Sequence, residues 1–165
     1  KAGANNQYAR PNWNEVTYFN RTQLFPAGKS IEVEHSYKPI AGGSVGGMLE
    51  RQYRKEGSFR DYVRGYCLDK SFLKGFDRRR YAKGGDGSFY VEHWLDYVLK
   101  SGANWKGPIK DFRLVIDKGK PENLISFCTD GVKKISPTQF EIRKVNFEPA
   151  KDLSILIVEF IKLEN

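Results

Sequence analysis

Gly42-Gly43-Ser44-Val45-Gly46 matches the Gly-x-Ser-x-Gly string of a nucleophile elbow, the sharp strand-to-helix turn that exposes a serine hydroxyl. Asp86 and His93 follow in the order Ser…Asp…His that such a hydrolase uses, which makes Ser44 a candidate nucleophile. The local flanks are compatible, with a strand pattern before the string and residues 48–55 able to form a helix. The wider pattern is not, because that fold needs a parallel sheet with crossover helices. A glycine loop that contains a serine is the plainer reading, and no catalytic residue is assigned. A serine hydrolase using Ser44 stays as the alternative to a binding role.

His35 and His93 are the only histidines. With Glu34 or Glu92 they could supply two nitrogens and an oxygen to zinc or another transition metal. Adjacent residues of one strand point to opposite faces, so His35 and Glu34 do not converge on one ion. Both histidines fall on apolar strand faces, which reads as hydrogen-bonded core histidine. No metal and no cofactor is expected. Trp13, Trp94 and Trp105 could build a sugar-stacking platform, although tryptophan more often packs cores and loops. Asn20-Arg21-Thr22 is a glycosylation sequon inside a strand pattern, which argues against its use.

The strongest partner signal is charge. The chain carries +8, and residues 51–83 hold eleven Lys and Arg against four acids, an excess of seven in one fifth of the length. Within that stretch Arg78, Arg79 and Arg80, with Lys74 and Lys83, are the candidate anion-binding residues, because planar guanidinium forks grip phosphate and carboxylate. The alternative is a solvated helix face. A pI near 9.4 admits nucleic acid. No DNA- or RNA-binding signature accompanies it, so nucleic acid is not expected. An anionic lipid, a polysaccharide or an acidic protein fits better.

The elements that position these residues follow from periodicity. Residues 15–25 and 30–37 alternate apolar and polar, a half-buried hairpin around Phe25-Pro26-Ala27-Gly28, with Pro26 second and Gly28 fourth in a type I turn. Residues 39–47 are a glycine-rich loop by composition, and its part Ala41–Gly47 is expected to be mobile. Phe59, Tyr62, Val63, Tyr66 and Cys67 then recur at helical spacing, with Ser58 as N-cap. Asp69 caps a second helix carrying Phe72, Leu73 and Phe76, ended by Lys83-Gly84-Gly85-Asp86-Gly87. Period two returns at residues 88–99, with Phe89, Val91, His93, Leu95, Tyr97 and Leu99 inward, and continues through Phe112, Leu114 and Ile116. A short strand covers 124–128, Asp130-Gly131 signals a hairpin, Ser136-Pro137 marks a turn, and 140–145 is a strand. Residues 153–163 are almost continuously apolar, as in a central strand covered on both faces.

The expected fold is therefore mainly β, α+β by content. It is an antiparallel β-sandwich with a helical insertion at about residues 48–82. At 165 residues the chain is long enough for one domain with a full core. Residues 1–12 read as a linker or tail and 13–165 as the single domain. No apolar run reaches the roughly 18 residues of a membrane-spanning helix. A polar start at Lys1 reads as a processed chain whose targeting segment has been removed.

Five strings also carry a family resemblance: FPAGKSIEVEHSYKP at 25–39 with the GGSVG after it, YCLD at 66–69, GANWKGPIKDFRLVIDKG at 102–119 and SFCTDGVKK at 126–134. Together they resemble the bacterial family catalogued as domain of unknown function 4424, in its C-terminal half. The resemblance implies an exported protein, periplasmic or secreted, and brings no catalytic residues with it.

Cys67 and Cys128 are expected to form a disulfide. Cys67 ends the apolar helix stripe and so faces the sheet, while Cys128 ends a strand before a turn. An oxidising compartment makes the bond available. The competing reading is two buried thiols. The commitment is to a non-catalytic binding or structural module with a basic, anion-binding face.

Overall fold

The computed structural model describes residues 17–18, 20–39, 41–81 and 89–161. Residues 1–37 and 38–165 form two separate compact units.

In the first unit no strand occurs among the described residues, so the hairpin expected over 15–25 and 30–37 is corrected. Alternation supplies one apolar face, but a strand also needs a neighbour for its backbone groups. None is provided here, and Tyr18, Leu24, Phe25 and Tyr37 are largely exposed. The turn is present one residue out of the expected register. Lys29 N–H donates to the Pro26 carbonyl at 3.3 Å, which makes Pro26 first and Gly28 third. Gly28 has φ +72°, as the third position of a type II turn requires.

The described residues of the second unit form seven strands and two α-helices. In chain order these are β1 (Gly42–Val45), a 3-10 turn (Arg51–Lys55), α1 (Gly57–Tyr66), α2 (Lys70–Tyr81), β2 (Phe89–Tyr97), a 3-10 turn (Lys100–Asn104), β3 (Ile109–Asp117), β4 (Leu124–Phe127), β5 (Lys133–Lys134), β6 (Gln139–Phe147) and β7 (Leu153–Ile161). One antiparallel sheet runs β1-β2-β7-β4 and a second runs β3-β6-β5. The helical insertion lies where expected, and it covers the outer face of the first sheet.

β7 explains the layering. Leu156, Val158 and Phe160 face the helices, joined by Tyr90, Phe72, Phe76, Leu49 and Leu68. Leu153, Ile155 and Ile157 face the second sheet, where Ile116 and Ile142 complete a separate core. β2 sits opposite β7 and also has two covered faces. Its face carrying Tyr90 and Glu92 is the more deeply buried, while Phe89 is half exposed. The single inward face expected for residues 88–99 is therefore corrected.

The loop expected at 39–47 contains a paired strand. β1 runs antiparallel to β2, with Gly42 opposite Trp94 and Ser44 opposite Glu92. Its glycines permit close approach. A Cβ on Gly42 would lie 3.0 Å from the Trp94 ring, and one on Gly43 would lie 3.1 Å from the Glu92 carbonyl. Pairing and contact remove the basis for the expected mobility.

Two local expectations also shift. α1 begins at Gly57 with Glu56 in the cap position and no side-chain cap, so Ser58 lies inside the first turn. Asp130-Gly131 does turn the chain, with Gly131 at φ +73°, but it hands the chain from one sheet to the other. β4 pairs with β7 and β5 with β6, so no hairpin forms there.

Cys67 ends α1 in the left-handed conformation and bonds to Cys128, with Cα atoms 5.1 Å apart. The bond fastens the helical layer to the end of β4 and closes a loop of 61 residues. In the chain-entropy model that loop contributes about 4 kcal/mol. Cys67→Ser with Cys128→Ser is expected to lower the unfolding free energy by about that amount in urea titration, with the native fold retained.

Candidate functional site

The candidate site is built on α2. Asp69 caps it, accepting from the Phe72 N–H at 2.6 Å and from the Ser71 hydroxyl at 2.7 Å. The Phe72 amide bond in particular holds the Asp69 carboxyl below its ordinary value. Phe72 and Phe76 then enter the core, and Phe76 meets Tyr90 edge-on at 4.9 Å. With that face spent, residues 70, 74, 77, 78 and 81 are left on the outside. They line an open groove of about 600 Å³, completed by Leu73 and by Arg51 from the preceding 3-10 turn.

Three consecutive helical residues fan over about 200° at 100° each, so Arg78, Arg79 and Arg80 cannot form one grip. Arg78 points into the groove beside Lys74. Arg79 donates to the Gly75 carbonyl at 3.1 Å and lies over the Phe160 ring. Arg80 donates through Nε to Glu50 at 2.9 Å. Lys83 lies outside the described residues. Lys70 and Arg51, part of the basic stretch but not singled out as anion-binding residues, join the groove. Lys70, Lys74 and Arg78 stand at i, i+4 and i+8, a spacing legible in the sequence. Arg51 arrives through tertiary contact and left no local signal.

Ion pairing sorts the cations. Asp77 takes Arg51 at 3.2 Å and Arg54 at 2.5 Å. Glu50 takes Arg80 and also accepts from the Tyr81 hydroxyl. Burial works to raise the Glu50 carboxyl, but hydrogen bonds from Tyr81 and Arg80 outweigh it and hold it below its ordinary range. These contacts pin the 3-10 turn to α2. Lys70, Lys74 and Arg78 are exposed and have no ion-pair or hydrogen-bond partner among the described residues.

A second constellation lies beneath β1. Glu92 is fully buried, and Tyr62 donates to its Oε2 at 2.5 Å. Trp94 Nε1–H donates to the Tyr62 oxygen at 3.0 Å, completing a relay between α1 and β2. Glu92 Oε1 has no hydrogen-bond partner among the described residues. Burial raises the Glu92 carboxyl above its ordinary value of 4.5, despite the Tyr62 bond and the nearby Leu49 amide. Gly47 closes the site, since a Cβ there would lie 2.5 Å from Oε1. Just after β3, Lys118 is buried and has no ion-pair partner among the described residues. Its Nζ donates to the carbonyls of Pro121 and Asn123, and burial lowers its pKa.

The remaining sequence candidates separate. Ser44 lies inside β1, without the strand-to-helix turn of an elbow, and Asp86 is outside the described residues. His93 Nε2 meets Glu159 at 3.2 Å on the half-buried face toward the second sheet, and His35 is exposed in the first unit, so neither is a fully buried core histidine. Among the described residues no three His, Cys, Asp or Glu side chains are placed to hold a metal. Trp94 packs against the helical core, Trp105 is exposed, and Trp13 is outside the described residues. Asn20 of the sequon is exposed and lies in no strand.

The buried carboxyl gives a pH test. Below its ordinary 4.5 the proton is on in both folded and unfolded chains. As pH rises past that value the unfolded chain releases the proton while the folded chain keeps it, so stability falls until the folded carboxyl also ionises. Glu92→Gln mimics the neutral acid and removes this loss. The variant's stability relative to wild type, measured by urea unfolding, is expected to be higher at pH 8 than at pH 5. An equal difference at both pH values would mean an ordinary carboxyl. Gly47→Ala is expected to cost about 1–3 kcal/mol, because the buried carboxyl has nowhere to move.

No curated protein and no solved structure matches the chain. The model of one family matches residues 1–156, nearly the whole sequence, and includes both the groove and the buried relay. The chain belongs to the family described as Domain of unknown function (DUF4424).

Proposed function

We propose that this chain is a non-catalytic binding or structural module of an exported bacterial protein, and that it holds an anionic partner in the α2 groove. The observation that carries the reading is the line of three cations, Lys70, Lys74 and Arg78, left without partners among the described residues while neighbouring arginines are consumed by Glu50 and Asp77. Like charges at i and i+4 repel, so the helix carries a standing penalty that a bound anion relieves. The disulfide suits an oxidising compartment and supports export. Among the described residues no helix is long and apolar enough to cross a membrane. The hydrolase alternative gains no support from Ser44, which is held in a strand.

Retention on phosphocellulose tests the reading. Wild type is expected to bind at low ionic strength and to elute with salt. Reversing Lys70, Lys74 and Arg78 to Glu is expected to abolish retention. Reversing Lys100, Lys110 and Lys151, exposed cations away from α2, changes net charge equally and is expected to leave most of it. Equal loss in both triple variants would reduce the effect to net charge and remove the groove from the account.

A further inference from the structure

The geometry of the groove also narrows the class of anion, an inference that rests on the anion-binding reading above. Lys70 and Arg78 are eight residues apart on one straight helix, about 12 Å along the axis, with Lys74 midway. A single phosphate or carboxylate cannot reach all three. An array of this kind matches a ligand that carries its charges in a line.

Three observations decide among linear or extended anions. The first concerns bases. Single-stranded nucleic acid is held by aromatic faces on which bases stack. The aromatic ring of the groove is Tyr81, and Arg51 covers it at 4.2 Å while its hydroxyl is bound to Glu50. Arg80 also approaches that ring at 5.7 Å, so the aromatic ring among the described lining residues is already engaged by the protein's own cations. The second concerns membranes. Peripheral binding joins basic residues to an apolar anchor that enters the bilayer. Here the apolar contribution is Leu73, half-buried on the groove floor, and the exposed Phe89, Val98 and Trp105 are not among its lining. The third concerns the lining. Besides its cations the open groove is lined by Leu73 and Tyr81, which offer apolar contact that a bare phosphate chain has no C–H surface to use. A pyranose ring presents such a surface between its charged substituents.

We propose that the α2 groove binds a linear acidic polysaccharide, whose sulfate or carboxylate groups are met in turn by Lys70, Lys74 and Arg78, with its ring faces laid over Leu73.

Calorimetry of the full chain with heparin-derived oligosaccharides of defined length tests this. Affinity is expected to rise by about tenfold or more from disaccharide to octasaccharide, as successive charges engage. The salt dependence of octasaccharide binding should correspond to about three ionic contacts, and Lys74→Glu should lower that number by about one or more. Near-UV circular dichroism checks that the variant is folded. A disaccharide that binds as tightly as the octasaccharide would leave an anion site but overturn the polymer. Inorganic polyphosphate binding more tightly than the octasaccharide would overturn the sugar. Binding to phosphatidylglycerol vesicles, lost in Lys74→Glu, without octasaccharide binding would assign the groove to a membrane surface and overturn the proposal. No binding to any of these probes would remove the anion-binding reading together with it.

Discussion

Strand β7 is covered on both faces along most of its length, and the rest of the second unit is arranged around that constraint. Its even positions Leu156, Val158 and Phe160 need the helices, and its odd positions Leu153, Ile155 and Ile157 need the second sheet. A strand that is apolar on both sides cannot set its own register by the usual alternation, because a one-residue slip still buries apolar atoms. Its neighbour supplies the missing information. β2 places Glu92 opposite Val158 and Trp94 opposite Leu156, on the helical side. In that register the Glu92 carboxyl meets Tyr62, and the Trp94 N–H meets the same hydroxyl. A slip by one residue would turn an acid into the core between the sheets with no hydroxyl to receive it, at the price of an unsatisfied buried group.

The groove follows from how the helices answer this constraint. α2 spends Phe72 and Phe76 on the β7 and β2 side chains, which turns its charged positions outward. The 3-10 turn before α1 has no buried residue of its own. It is held instead by Arg51 and Arg54 on Asp77, and the adjacent Glu50 is held by Arg80. The two acids that could have neutralised the outer row of α2 are thereby removed from it. Core packing and local ion pairing together leave Lys70, Lys74 and Arg78 exposed and unmatched.

Much of this fold was legible where periodicity was strong and the burial one-sided. Both helices, the long strands β2, β3 and β6, the two-sided β7 and the disulfide all follow from patterns of apolar residues and two cysteine positions. The failures share a cause, which is that a local signal had a tertiary meaning. Gly42 and Gly43 read as flexibility, yet they are small because the Trp94 ring and the Glu92 carbonyl come so close. Residues 30–37 alternate as a strand should, yet no neighbouring strand accompanies them among the described residues. Asp130-Gly131 has hairpin chemistry, yet the strands on its two sides belong to different sheets. In the site, Lys74 and Arg78 were legible as cations on a helix. The buried Glu92 was not, because it occupies the side of β2 that a single-faced reading sends to solvent.

Charge count and binding site are different quantities, and the arginines show why. A guanidinium holds two acceptors in fixed geometry and lies flat on rings, so it is the natural cross-link in a folded chain. Arg51 and Arg54 on Asp77, Arg79 over Phe160 and Arg80 on Glu50 all act in this way. Lysine, with a mobile point charge, is the more usual solvated cation, and Lys70 and Lys74 behave accordingly. Arg78 is the departure. It is the one residue of the Arg78–Arg80 run that grips nothing among the described residues, and it stands in line with Lys70 and Lys74, which are likewise unpaired among them. An excess of seven positive charges in one stretch could have been entirely internal bookkeeping. An unengaged guanidinium at the end of an unpaired row is what turns that excess into a directed site.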